Sequence, residues 1–294
     1  MEGIINVLKP PGMTSSDVVV WMRRILKTKR IGHTGTLDPG VAGVLPLCVG
    51  KGTRLAEYIT EQGKAYRAEV TFGVTTDTQD SYGKVTKVSS PNCGQNDLEQ
   101  VLPSFTGKIT QIPPMYSAVR KEGKHLYEYA RQGIAIERTS REVFIYQLKL
   151  VKWYEGEFPR AILDIECSKG TYIRTLCYDL GEALGFGAHM SYLVRVRSGP
   201  FKLQESWTLE EIDEAVRKST YPFLLPLTAG VELPRVVLSA VRANAFKHGL
   251  PTRRDLIETI TEGQESYVQV IEDGELIGIG VWREQSLFPH KVFG

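Results

Sequence analysis

Apolar residues at Val18, Met22, Ile25 and Leu26 recur at the spacing of one helical stripe, which predicts a first helix running from about Ser15 towards Arg30. Ser15 or Ser16 is placed to cap it, Asp17 falls in its first turn, and Lys27, Lys29 and Arg30 load its last, as the helix dipole favours. A glycine-rich segment follows, and then the period drops to two. Ala68, Val70 and Phe72 alternate with Glu69 and Thr71. Phe144, Tyr146, Leu148 and Leu150 alternate with Ile145, Gln147 and Lys149, and Leu163, Ile165 and Cys167 with Asp164 and Glu166. Each alternation predicts a strand with one face towards a core. Helices are expected between them over residues 97–102, 126–132 and about 172–184, stopped by Pro103, Gly133 and Gly185. The capping box Thr208-Leu-Glu-Glu211 opens another.

Strands and helices mix without strict alternation, which predicts an α+β fold around a mixed, largely antiparallel sheet rather than a doubly wound one. The tail has its own pattern: a short helix near 240–246, then strands over 267–271 and 276–282 joined across the turn-forming Glu272-Asp-Gly274. This places a domain boundary near Gly230, with a main domain over 1–230 and a small, mostly β domain over 231–294. About 60 residues are marginal alone, so the tail is expected to pack on the main domain.

Composition excludes more than it selects. The chain has 294 residues, 42% of them hydrophobic and 24% charged, the balance of an ordinary globular protein and not of a disordered or fibrous one. No run approaches the roughly 18 apolar residues of a membrane span, and the N-terminus lacks the basic and apolar regions of a signal peptide. Cys48, Cys93, Cys167 and Cys177 form no C-x-x-C pair, which argues against a zinc ribbon or a disulfide framework. A soluble, cytoplasmic, reduced protein is expected.

Charge is uneven. The 36 Lys+Arg and 34 Asp+Glu nearly cancel, but residues 231–294 hold 7 basic and 9 acidic residues, leaving 29 and 25 in residues 1–230. Arg23, Arg24, Lys27, Lys29 and Arg30 sit in a stretch without acids, and residues 108–149 hold 8 basic against 4 acidic residues. Such clusters fit either a polyanion footprint or a solvated helix face.

Chemical potential concentrates in Gly32-His-Thr-Gly-Thr-Leu-Asp-Pro39, a predicted loop with an imidazole, two hydroxyls and a carboxylate between glycines. Asp38 in that setting suits a nucleophile, a general base, a cation ligand or a turn cap. Neither a G-x-x-x-x-G-K-[ST] nor a G-x-G-x-x-G nucleotide loop is present. Asp77 and Asp80 are too few for a cation site and suit turn or pocket hydrogen bonds better. His125, His189, His248 and His290 have no ligand-like spacing, so no metal is expected.

Several long motifs in fixed order resemble the bacterial tRNA pseudouridine synthases of the TruB type. They are Leu8-Lys-Pro-Pro-Gly-Met-Thr-Ser15, the Gly32–Pro39 run with Gly43-Val-Leu-Pro46, and Tyr66 with Thr76-Asp-Thr-Gln-Asp80. Ile112-Pro-Pro-Met-Tyr-Ser-Ala118, Cys167-Ser-Lys-Gly-Thr-Tyr-Ile-Arg174 and Gly187-Ala-His-Met-Ser-Tyr-Leu193 complete the set. The resemblance implies isomerisation of the T-loop uridine at tRNA position 55. It implies Asp38 as the nucleophile, Tyr66 as the platform beneath the target base, and Arg174 as partner of the catalytic carboxylate. It also implies His33 as the residue that fills space left by flipped nucleotides, Leu193 as a pocket wall, and Asp80 and Tyr172 as hydrogen-bond partners. A thumb-like RNA-binding insertion over about 117–142, carrying Lys121, Lys124 and Arg131, and a PUA-type tail are implied as well. Arg23, Lys27 and Arg30 are the further candidates for phosphate contact. The expected partner is tRNA, bound by a monomer.

Those residue types suit the reaction. Moving the uracil from an N1–C1′ to a C5–C1′ bond involves no redox step or phosphate cleavage, so an anion, a proton acceptor and a closed pocket suffice without metal or cofactor. An aromatic platform holds an unstacked base, and phosphate contacts offset the cost of unstacking. Taken singly, Tyr66 also suits a core position and Arg174 a surface ion pair. Three other functions are weighed: a guide-RNA-dependent synthase, which the 121–133 segment disfavours; a purely RNA-binding protein, which Asp38, Tyr66 and Arg174 together disfavour; and an aspartyl hydrolase, which lacks a phosphate loop or metal cluster.

Overall fold

A computed structural model describes residues 1–261 and 266–293. The chain forms two compact units, one of Met1–Pro39, Val44–Thr60 and Gly199–Gly294, the other of Gly40–Gly43 and Glu61–Ser198.

In the first unit the strand Gly3–Lys9 leads into the helix Ser15–Ile25. Its cap is Thr14, not Ser15 or Ser16: the Asp17 amide donates to Thr14 Oγ1 at 3.0 Å and the Thr14 amide to the Asp17 carboxylate at 2.8 Å. The helix also stops earlier than its charge pattern predicts. Lys27 turns the chain at φ +50°, so Lys29 and Arg30 lie beyond the helix and Arg23 and Arg24 are the cations of its last turn. Val18, Val19 and Met22 pack against Ile5, Leu45, Leu47, Ile212 and Phe223. The expected capping box at Thr208 is present and starts the helix Leu209–Arg217.

The tail belongs to this unit. Six short strands among the described residues form one sheet, centred on Tyr267–Glu272, Glu275–Arg283 and Ser286–Val292, with Arg235–Val237 parallel to the first. The helix Ala240–Lys247 inserts Ala243 and Phe246 into its core. Val231, Ile271, Leu276, Ile279 and Phe293 join Ile4, Val44, Cys48, Leu55 and Ile59 in one buried cluster. The tail therefore completes a core that the N-terminal segments begin, as its small size requires.

In the second unit, antiparallel neighbours run in the order Ala188–Ser198, Lys64–Phe72, Arg160–Cys167, Arg141–Tyr154 and Gly107–Gln111. Ala42 and Gly43 add a parallel pairing to Val194 and Arg195. Gly43, at φ +127°, is required there, because a Cβ would meet the Arg195 carbonyl oxygen at 2.3 Å. Expected alternation holds for Leu163, Ile165 and Cys167, all buried. It fails in Arg141–Tyr154, where Val143 and Ile145 are buried and Phe144 and Tyr146 exposed. A bulge between Ile145 and Gln147 then shifts the phase and returns Leu148 and Leu150 to the half-buried side. The helix Ile173–Ala183 packs on the 188–198 strand. Two small ribbons, Val74–Thr76 with Val85–Val88 and Arg120–Lys121 with Lys124–His125, complete the unit, the second leading into the helix Leu126–Arg131. The result is the α+β architecture with mixed, largely antiparallel sheets.

Candidate active site

Asp38 sits half-buried in the loop that leaves the strand Ile31–His33. Both of its neighbours are fixed. Leu37 is buried, its amide donates to Ser15 Oγ at 2.9 Å, and the Ser15 hydroxyl donates back to the Leu37 carbonyl at 3.3 Å. The Pro39 carbonyl accepts from the Gly12 amide at 2.9 Å and from Lys9 Nζ at 3.2 Å. Upstream, the Thr34 amide and hydroxyl both reach the Pro46 carbonyl. This explains why Ser15 does not cap the first helix: its hydroxyl holds the loop. The two motifs at the start of the chain, Leu8–Ser15 and Gly32–Pro39, are thus one assembly. His33 is half-buried at the end of the Ile31–His33 strand, opposite Leu47.

In the second unit one face of the sheet collects Tyr66, Ala68, Leu193 and Arg195. Cross-strand register pairs Tyr66 with Ile165 and Arg195, and Ala68 with Leu193, so their side chains share that face. Tyr66 is half-buried, Leu193 buried, and Arg195 only 1% exposed. Lys64, two residues before Tyr66 on the same face, is buried too. Burial and then the Arg195 guanidinium push its ammonium down to about 8.

Arg174, at 4% exposure, is no surface arginine. Its Nη1 donates to the Thr78 carbonyl at 3.0 Å and its Nη2 to the Tyr116 carbonyl at 2.7 Å, with Asp80 Oδ2 3.8 Å away. Asp80 Oδ1 in turn accepts from the Thr78 hydroxyl at 2.6 Å and the Tyr82 amide at 3.0 Å. Asp77 Oδ1 accepts the Lys84 amide, so both acids of the Thr76–Asp80 motif bind turn amides. Tyr172 precedes the 173–183 helix, its amide and carbonyl bound to the Gln111 side chain and its ring under Arg141. The second unit therefore gathers Tyr66 and Leu193 on one sheet face and links Asp80 to Arg174.

Basic candidates lie at the surface in different settings. Arg23 donates to the Ile31 carbonyl, Arg30 to the Thr53 hydroxyl, and Lys27 is exposed. In the 117–142 segment Lys121 donates to the Glu137 carbonyl, while Lys124 and Arg131 lie over the Tyr129 and Tyr127 rings. A separate cavity of about 420 Å³ opens among Gln79, Ile112, Arg138, Thr175, Tyr178 and Asp179. Burial, then Glu182, pushes the Asp179 carboxyl up to about 6.

Sequence reasoning missed Lys9, Lys64 and Arg195. Lys64 left a legible signal: it shares the phase of Ala68, Val70 and Phe72, so a cation was due on a buried face. Lys9, fully buried, left only its place in Leu8-Lys-Pro-Pro.

Residues 23–173 match the family model described as TruB family pseudouridylate synthase (N terminal domain), and residues 174–232 match the tRNA pseudouridylate synthase B C-terminal domain. The chain belongs to the TruB family of pseudouridylate synthases. A TruB relative from Symbiobacterium thermophilum, named tRNA pseudouridine synthase B, is 54% identical over 252 residues, 85% of this chain and 83% of that one. Its namesake from Moorella thermoacetica is 46% identical over 99% of this chain and 98% of its own. Among solved structures, a chain from an H/ACA RNP bound to a substrate RNA containing 2′-deoxyuridine superposes with a TM-score of 0.76 at 27% identity, over 99% of this chain and 85% of that one. No helix among the described residues of this TruB-family chain is long and apolar enough to cross a membrane.

Proposed function

We propose that the chain converts the T-loop uridine at tRNA position 55 to pseudouridine, with Asp38 as nucleophile. The observation that carries this reading is the clamp on both neighbours of Asp38, which fixes the place of its carboxylate in the loop. In this reading the target base leaves its stack and rests on Tyr66 against Leu193. Asp38 bonds to the uridine, the N1–C1′ bond breaks, the uracil turns, C5 bonds to C1′, and the bond to Asp38 breaks to free the carboxylate. The proton on C5 departs towards Tyr66 and N1 ends protonated, so atoms balance without an added reactant. Arg174 is assigned as the cationic partner of the catalytic carboxylate, because an opposite charge favours the charged form. Asp80 and Tyr172 hold pocket polar groups, and His33 fills the space that flipped nucleotides leave.

Phosphates are met by Arg23, Lys27 and Arg30 and by Lys121, Lys124 and Arg131 of a thumb over about 117–142. Residues 1–230 act as the catalytic part and residues 231–294 as a PUA-type RNA-binding part, in a monomer working in the cytoplasm. Likeness to a chain from an RNP raises a guide-RNA-dependent reading, but identity of 46–54% to relatives named tRNA pseudouridine synthase B, against 27%, favours the stand-alone enzyme.

The test incubates the protein with an unmodified tRNA transcript, without guide RNA, and maps pseudouridine by carbodiimide primer stops. A stop at position 55 is expected, and its rate should fall by about three decades or more in Asp38→Asn, the scale of losing a covalent nucleophile. Lack of any T-loop signal removes the reading. Turnover of the Asn variant within tenfold of the parent removes Asp38 as nucleophile.

A further inference from the structure

Tyr82 is 77% exposed, the most exposed aromatic side chain among the described residues, yet it stands on one of the most tightly built turns in the molecule. Its amide donates to Asp80 Oδ1 at 3.0 Å, the carboxylate that lies beside Arg174. On either side, the Ser81 amide donates to the Met190 carbonyl, the Gly83 amide to the Asp80 carbonyl, and the Lys84 amide to Asp77 Oδ1. The ring itself rests on Gly40. A Cβ there would meet Tyr82 Cε2 at 2.3 Å, Cζ at 2.5 Å and Oη at 2.6 Å, so only glycine leaves the ring its seat. Gly40 follows Asp38 by two residues, which limits the separation of their Cα atoms to about 7.6 Å. Lys84 and Lys87, both exposed, continue the same ribbon.

A ring with open apolar surface and neighbouring cations is the combination that binds single-stranded nucleic acid: bases stack on the ring, phosphates meet the cations, and no sequence is read. We propose that Tyr82, its ring seated on Gly40, is a stacking platform for a nucleobase flanking the target uridine. This rests on the RNA-modifying function proposed above. The platform is distinct from Tyr66, which lies half-buried within the sheet and receives the target base.

The test measures affinity for an unmodified T stem-loop transcript with Tyr82→Ala, Tyr82→Phe and Tyr82→Trp. The Ala variant should bind about 5- to 140-fold more weakly, the range for loss of one base–aromatic stack. Its KM should rise more than its kcat falls, and its melting temperature should stay within about 1 °C, since so exposed a side chain supports no core. The Phe variant should bind within about twofold of the parent, and Trp emission should quench on adding RNA. Binding of the Ala variant within twofold overturns the proposal, as does a Phe variant as weak as Ala, which would assign the contact to the hydroxyl. Both failures are separable from that of the parent reading: a wild-type protein that binds the stem-loop without forming pseudouridine refutes the function, while the Ala-to-Phe comparison still judges Tyr82.

Discussion

Arg174→Ala removes a guanidinium that donates to two carbonyls and pairs with a carboxylate. The side chain bridges the Thr78 carbonyl at 3.0 Å, the Tyr116 carbonyl at 2.7 Å and, at 3.8 Å, the Asp80 carboxylate. Hydrogen bonds to a charged group contribute about 1.5–3 kcal/mol each. Breaking one partner of a buried ionic network costs about 3–5 kcal/mol, and water entering the gap recovers part, so that range applies to the whole network. At about 2–4 °C per kcal/mol for domains of this size, the melting temperature should drop by roughly 6–20 °C. The damage should also be local. Arg174 ties the 76–84 turn and the segment near Tyr116 to the 173–183 helix, so amide exchange should accelerate first in those two segments and not in the tail. Arg174→Lys keeps the charge but loses the planar fork, and should fall between. Calorimetry at pH 7 with hydrogen exchange by mass spectrometry reads both effects. A shift below 2 °C with unchanged exchange near Thr78 and Tyr116 would show that the guanidinium carries no such network.

Asp179→Asn should stabilise the protein at pH 7.5 by about 1–2 kcal/mol, after discounting for solvent at a half-buried carboxyl. Its folded-state value of about 6 lies above the ordinary 3.8, so wild-type stability is lost as pH rises between those values; the advantage of Asn should shrink on acidification and vanish below about pH 4, read by melting curves across pH 4–8. Replacing Lys121, Lys124 and Arg131 together by Ala should flatten the log–log salt dependence of tRNA binding by up to roughly three units, and exchange across residues 120–140 should slow when tRNA binds; equal protection with an unchanged slope would mean that the segment meets no phosphate. Deleting residues 231–294 uncovers Ile4, Val44, Cys48, Leu55 and Ile59, and with about 1.5–3 kcal/mol for each large apolar side chain the loss rivals a typical total stability, so the truncated chain should aggregate or melt without cooperativity. A soluble truncation that melts near the full-length temperature would disprove that shared core.

What the sequence determined by itself was local or ordered. The capping box at Thr208, the 163–167 alternation and the tail hairpin across 272–275 need only near neighbours, and all three formed. The order of motifs identified the family because many rare strings in one arrangement do not recur by chance. Tertiary structure decided the rest. Ser15 looked like a helix cap until the Leu37 amide, 22 residues away, claimed its hydroxyl and left Thr14 to cap. Phe144 and Tyr146 read as core because alternation assumes an unbroken strand, whereas a bulge set by pairing with the 160–167 strand reversed the phase. Arg174 reads as a surface arginine at a helix start, and only the approach of Thr78 and Tyr116 from distant loops supplies the acceptors that let it be buried. In each case a polar group or a phase was settled by a partner far away in sequence. Hydrogen-bond satisfaction and strand register are properties of pairs, and a linear pattern carries only one member of each.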